Sequence, residues 1–83
     1  MSVPRWPCPC CGFVTLEEAP PGSYFICPVC FWEDDPVQFD DPDYRGGANV
    51  VSLNEARINF KAFGAVEERF QASVRSPRAD EQL

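Results

Sequence analysis

Cysteine, proline and glycine recur here in a pattern with only a few chemical uses. Cys8-Pro9-Cys10-Cys11-Gly12 and Cys27-Pro28-Val29-Cys30 each contain Cys-x-x-Cys, and fifteen residues separate Cys11 from Cys27. Two such pairs at this spacing are typical of metal sites. Each turn lets two thiolates grip one ion from the same side, and two turns together complete a tetrahedron. The proline stiffens each turn, and Gly12 allows the positive φ that such a turn needs on leaving. The first pair is therefore read as Cys8 and Cys11, with Cys10 inside the turn; Cys10 and Cys11 as adjacent ligands is the alternative, a strained one. Four thiolates leave no open coordination position, so the metal would be structural, one Zn2+ per chain, and no residue is assigned a catalytic role. Iron fits the same four-sulfur cage, as in a rubredoxin-like electron carrier, and spacing alone does not separate the two. A dithiol switch of the thioredoxin kind would need a βαβ setting, which the sequence does not offer. Cys10 is left as a buried small hydrophobe, a sulfur near the metal or an exposed thiol.

The elements that must position these sulfurs lie on either side of them. Phe13–Leu16 and Ser23–Ile26 are rich in aromatic and β-branched residues and flank the turn segment 17–22. They predict an antiparallel hairpin carrying the two cysteine turns. Residues 33–49 are acidic and broken by proline and glycine, and they read as a long loop. Ser52-Leu53-Asn54-Glu55 fits a capping box, and Leu53, Ala56, Phe60 and Phe63 then form one apolar stripe. Gly64 is placed to end that helix. Val66, Phe70 and Val74 suggest a second helix. Residues 1–75 are read as a single domain and 76–83 as a flexible tail. The fold class expected is a small metal-stabilised α+β domain: a zinc-ribbon-like β-hairpin with a four-cysteine site, an acidic loop and one or two C-terminal helices.

The motifs together resemble a known family. CPCCG, YFICPVCFWEDD, GGAN and SLNEARINFKAFGA, in this order, are similar to the cysteine-rich CPCC family of small bacterial proteins expected to bind zinc. The likeness covers residues 8–70. It implies metal ligation by Cys8, Cys11, Cys27 and Cys30. It also implies that Trp32, Glu33, Asp34, Gly46, Gly47, Asn49, Ser52, Asn54, Ala56, Arg57 and Gly64 belong to a shared pattern. The family brings no defined activity.

Length and charge bound the function. At 83 residues the chain is one small domain, and a core of this size is marginal without a staple. Seven Lys+Arg against thirteen Asp+Glu give a net charge of −6. Four thiolates and one divalent ion would take it to about −8, counting the ionised ligands. A nucleic-acid-binding ribbon is therefore disfavoured, although Arg69, Arg75 and Arg78 could form a local cluster. No apolar run is long enough for a membrane span, and the N-terminal residues lack the apolar stretch of a signal peptide. The expectation is a cytoplasmic monomer that meets a basic protein partner. Phe31 and Trp32 are read first as aromatics covering the metal hairpin beside a solvated acidic loop; the sharper alternative exposes Trp32 among carboxylates as a recognition surface. Arg57 is expected to pair with Glu33 or Asp34 and pin the acidic loop.

Overall fold

The structure is a computed structural model that describes residues 5–82. It is a small α+β arrangement in which short local turns outnumber regular elements. Strand β1 (Trp6–Pro7) pairs antiparallel with β2 (Val14–Leu16), in register Trp6 with Leu16 and Pro7 with Val14. The pairing differs from the expected hairpin of Phe13–Leu16 with Ser23–Ile26. The reason is local: a Cys-x-x-Cys turn reverses the chain, so the segments flanking each turn meet each other first. Thus Ile26 bridges Glu33 across the second turn, with Asp34 N–H donating to the Phe25 carbonyl at 3.0 Å.

The acidic segment 33–49 holds a short helix, α1 (Pro36–Asp40), that the loop reading omits. Asp35 caps it, its Oδ1 accepting from Val37 N at 2.7 Å and Gln38 N at 3.2 Å, and Pro36 occupies the first turn. An aspartate followed by proline is a helix-start signal, but the helix is too short to show a period.

Helix α2 (Leu53–Phe63) forms as its sequence predicts. Ser52 Oγ accepts from Glu55 N, Glu55 Oε1 accepts from Ser52 N, and Gly64 closes the helix at φ 85°. Its inner face buries Leu53 and Ala56 in the same core cluster as Leu16, Cys27, Val29, Cys30 and Trp32. The core thus contains the cysteine turns themselves. The expected second helix is a 3-10 helix, Glu68–Ser73, entered from Glu67 without a side-chain cap.

In the stretch read as a flexible tail, one residue is anchored while most of its described neighbours are exposed. Ala79–Glu81 forms a 3-10 turn that brings the Glu81 side chain into the interior. There it accepts from both Arg75 Nη atoms at 2.7 Å and from Arg78 N at 2.8 Å. Arg5, just before β1, reaches the same carboxylate and Asp80. A buried carboxylate needs this many donors to offset its lost hydration.

Candidate metal centre

The two Cys-x-x-Cys turns have the same backbone. In the first, Cys8 N–H donates to the Phe13 carbonyl at 2.9 Å and Gly12 N–H to the Cys8 carbonyl at 2.8 Å. In the second, Cys27 N–H donates to the Trp32 carbonyl at 2.9 Å and Phe31 N–H to the Cys27 carbonyl at 2.8 Å. Both turns leave through the left-handed region, Gly12 at φ 79° and Phe31 at φ 73°.

Facing each other, the turns gather four sulfurs. The Sγ atoms of Cys8, Cys11, Cys27 and Cys30 all lie within 4.8 Å of one another. The contacts between turns are Cys8 to Cys30 at 3.6 Å and Cys11 to Cys27 at 3.7 Å. A disulfide would need about 2.05 Å, and all five cysteines are free. A tetrahedron with metal–sulfur bonds of about 2.3 Å has edges of about 3.8 Å. The group therefore fits a metal ion bound by four thiolates. Cys10 stays outside this set and is buried.

The surroundings favour charge at one sulfur and oppose it at the others. The Cys11 thiol, then those of Cys30 and Cys8, and the Thr15 hydroxyl at 3.0 Å bond to Cys27 and hold its thiol far below the usual range. Hydrogen bonding to Cys11 and Cys27, together with burial, pushes Cys8 up; bonds to Cys27 and Cys30 and burial push up Cys11. Cys30 is raised by its bond with Cys10 first, then by Cys27, Cys8 and burial. Without a cation, four thiolates packed this closely repel one another; a divalent ion removes that penalty. Trp32 N–H, 3.4 Å from Cys30 Sγ, adds a backbone donor.

A family model described as Cysteine-rich CPCC matches residues 6–81. The chain belongs to this family. No curated protein matches it. Membership and the four-sulfur group together point to metal binding.

Several residues of the shared pattern act away from the sulfurs. Trp32 is fully buried in the core, as the reading of aromatics covering the metal hairpin expects, and not the exposed recognition residue of the sharper alternative. Asp34 is equally buried, its Oδ2 accepting from Ser23 N at 2.9 Å and Ser23 Oγ at 2.6 Å. Arg57 does not reach Glu33 or Asp34; its Nε donates to the Pro9 carbonyl at 3.0 Å and braces the first cysteine turn. Two of the three arginines have their charge answered: Arg69 pairs with Glu67, and Arg75 with Glu81.

The residue that sequence reasoning missed is Gln38. Its buried Nε2 lies 3.0–3.1 Å from the carbonyls of Tyr44, Asn49 and Val51, and its Oε1 accepts from Asn49 N and Nδ2 at 3.0 and 2.9 Å. Asn49 in turn bonds both backbone groups of Glu33, accepting from its N–H at 2.9 Å and donating to its carbonyl at 2.8 Å. Asp35 Oδ2 takes the Ala48 N–H at 2.9 Å. Burial works against ionisation of Asp35, but the N–H groups of Ala48, Gln38 and Val37 outweigh it and hold the carboxyl below its usual range. A Cβ on Gly47 would stand 2.7 Å from Asp35 Oδ2 and 2.9 Å from Gln38 Cδ, which explains why glycine is needed there. The acidic segment is thus folded onto Glu33, at the exit of the second turn, by Gln38 and Asn49.

Proposed function

We propose that the chain is a zinc-stabilised, non-enzymatic module that binds a protein partner, with a zinc-ribbon-like frame and one Zn2+ held by Cys8, Cys11, Cys27 and Cys30. The observation that carries it is the pair of sulfur contacts at 3.6 and 3.7 Å, close to the edge of a zinc–thiolate tetrahedron. Four thiolates fill the coordination sphere, so the ion would organise the fold instead of activating water. Structural zinc contributes on the order of 10–16 kcal/mol of binding-linked folding energy in small peptides, as much as the whole stability of a small domain. Reduced thiols of this kind suit a reducing compartment, and we place the chain in the cytoplasm as a monomer.

The charge supports a basic partner. Four of the seven basic side chains, Arg5, Arg45, Arg69 and Arg75, are already in ion pairs, which leaves the free surplus acidic. Such a surface steers cationic proteins toward it and nucleic acid away.

Metal analysis of protein purified without added metal, combined with its visible spectrum, tests the reading. One zinc per chain and no visible absorption are expected. A red protein carrying iron would make the site an electron carrier. Folding unchanged by a chelator that strips the metal would remove the structural role.

A further inference from the structure

We infer that the recess beside the second cysteine turn is the docking slot for an extended segment of a basic partner protein. This deepens the proposed interaction role and rests on it. The recess has a volume of about 130 Å3. Its floor is the ring pair Phe31–Phe70, with centroids 4.3 Å apart, and Ile26 and Val50 stand on its rim at 46% and 55% exposure.

Three observations select the occupant. First, Ile26 sits in the one-residue bridge to Glu33, yet its own N–H and carbonyl make no hydrogen bond among the described residues. Glu33's equivalents are closed by Asn49, so only the Ile26 side offers a backbone edge. An extended chain adds to such an edge through main-chain hydrogen bonds.

Second, the charge at the recess is unbalanced. Arg69 pairs with Glu67 at 3.1 Å and lies over the Phe70 ring at 4.4 Å, whereas Glu33 has no ion pair among the described residues. A Lys or Arg on the incoming segment answers Glu33, and the chain's net charge of −6 favours the approach of such a segment.

Third, Phe31 holds its ring on this floor from a left-handed backbone, φ 73°, a conformation a bulky residue adopts only against a steric cost. The matching position in the first turn is Gly12. The occupant is therefore an extended strand with a cationic side chain over Glu33 and an apolar one against Phe31 and Phe70.

The test selects a displayed library of random short peptides on the metal-loaded full chain and follows binding by amide shifts. Enriched peptides should carry Lys or Arg beside an apolar residue. They should shift the amides of Ile26, Glu33 and Phe70, and bind at least about tenfold more weakly to Glu33→Lys and to Phe31→Gly. Phe31→Gly suits a left-handed site, so its fold is checked by its own spectrum and metal content, and Ile58→Lys on exposed α2 serves as the unaffected control. Peptides that ignore both variants but lose affinity on Phe39→Ala, an exposed residue of α1, would overturn the slot and leave the interaction role standing. Acidic peptides binding as well as basic ones would overturn the occupant. Self-association abolished by Phe31→Gly would assign the slot to a second copy and overturn it too. A library that yields no binder at all would reject the interaction role itself.

Discussion

The two cysteine turns share a backbone and differ in almost everything around it. The second is embedded: Cys27 and Cys30 are fully buried, Val66 N–H donates to the Cys30 carbonyl at 2.9 Å, and Arg75 N–H to the Pro28 carbonyl at 3.1 Å. The first lies nearer the surface. Cys11 is only partly buried, and the long-range brace on this turn is Arg57 on the Pro9 carbonyl. One local sequence, Cys-Pro-x-Cys, therefore serves two structural roles. The second turn is part of the core and is held by chain that returns to it from far away. The first enters the same core through Cys8 and Cys10 and sets Phe13 edge-on to Phe60, but it leaves Cys11 at the rim.

The largest effects should come from the sulfurs and should be unequal. Ser in place of any of the four should release the metal, because three thiolates and a weak hydroxyl ligand do not hold it comparably. Cys27→Ser or Cys30→Ser should leave no folded protein by near-ultraviolet dichroism, since the loss, on the order of the metal's 10 kcal/mol or more, falls inside the core. Cys11→Ser should keep the most residual structure of the four. Cys10→Ser should cost about 1 kcal/mol in chemical denaturation and retain the metal. Equal collapse for Cys11 and Cys30 variants would erase the distinction between the rim sulfur and the embedded ones.

Gln38→Ala gives the next effect. It removes the contacts that fold the acidic segment onto the second turn and leaves the carbonyls of Tyr44, Asn49 and Val51 without that donor. The expected loss is about 3 kcal/mol in urea unfolding, with metal still bound, because several buried acceptors lose a partner at once. Retained metal separates this from the cysteine variants. Metal released by Gln38→Ala would mean that the acidic segment and the sulfur site are one cooperative unit.

How far these regions are visible in the sequence follows from their physics. The sulfur spacing and α2 are legible because both are written in neighbouring residues: Cys-x-x-Cys twice, and Ser52 with Glu55. The hairpin partner is not, because Val14–Leu16 and Tyr24–Ile26 have equal strand character, and only the turn's local closure decides that β2 returns to Trp6–Pro7. Gln38 and Asp34 look like surface polar residues in an acidic run. Their burial depends on Asn49 and Ser23, eleven residues away in each case, a distance no local period spans. Arg57 carries a donor whose target, Pro9, is 48 residues distant, so charge alone points it to the wrong carboxylate.

Acid titration probes Glu81, whose carboxylate joins Arg5 ahead of β1 to Arg75 and Arg78 near the other end of the described chain. Bonding to Arg75 holds the Glu81 carboxyl at about 2, below an ordinary value of 4.5, against the opposing effect of burial. A depressed carboxylate stabilises the fold above the unfolded value and loses that contribution as pH falls from 4.5 toward 2. The contribution should be on the order of 1–3 kcal/mol at neutral pH. Glu81→Gln should lose it at pH 7 and show a shallower acid limb than the parent. Both are measured with saturating metal, so that thiolate protonation is common to the two. Parallel limbs would remove Glu81 from the acid response.

The smallest effect isolates the matched pair Gly12 and Phe31, where the residues differ but both backbones are left-handed. At Gly12 a Cβ would meet nothing within 4 Å, so Gly12→Ala measures the left-handed conformation alone and should cost about 1 kcal/mol. At Phe31 the same conformation is already occupied by a side chain. Phe31→Ala removes the ring and keeps the strain, whereas Phe31→Gly removes both. Glycine should then be the more stable of the two by about 1 kcal/mol, the reverse of its usual deficit against alanine. Both variants lose the stacking on Phe70, so their difference does not depend on it. If alanine proved equal or better at 31, the two turns would differ in backbone after all, and the ring's place over the recess would carry no conformational cost.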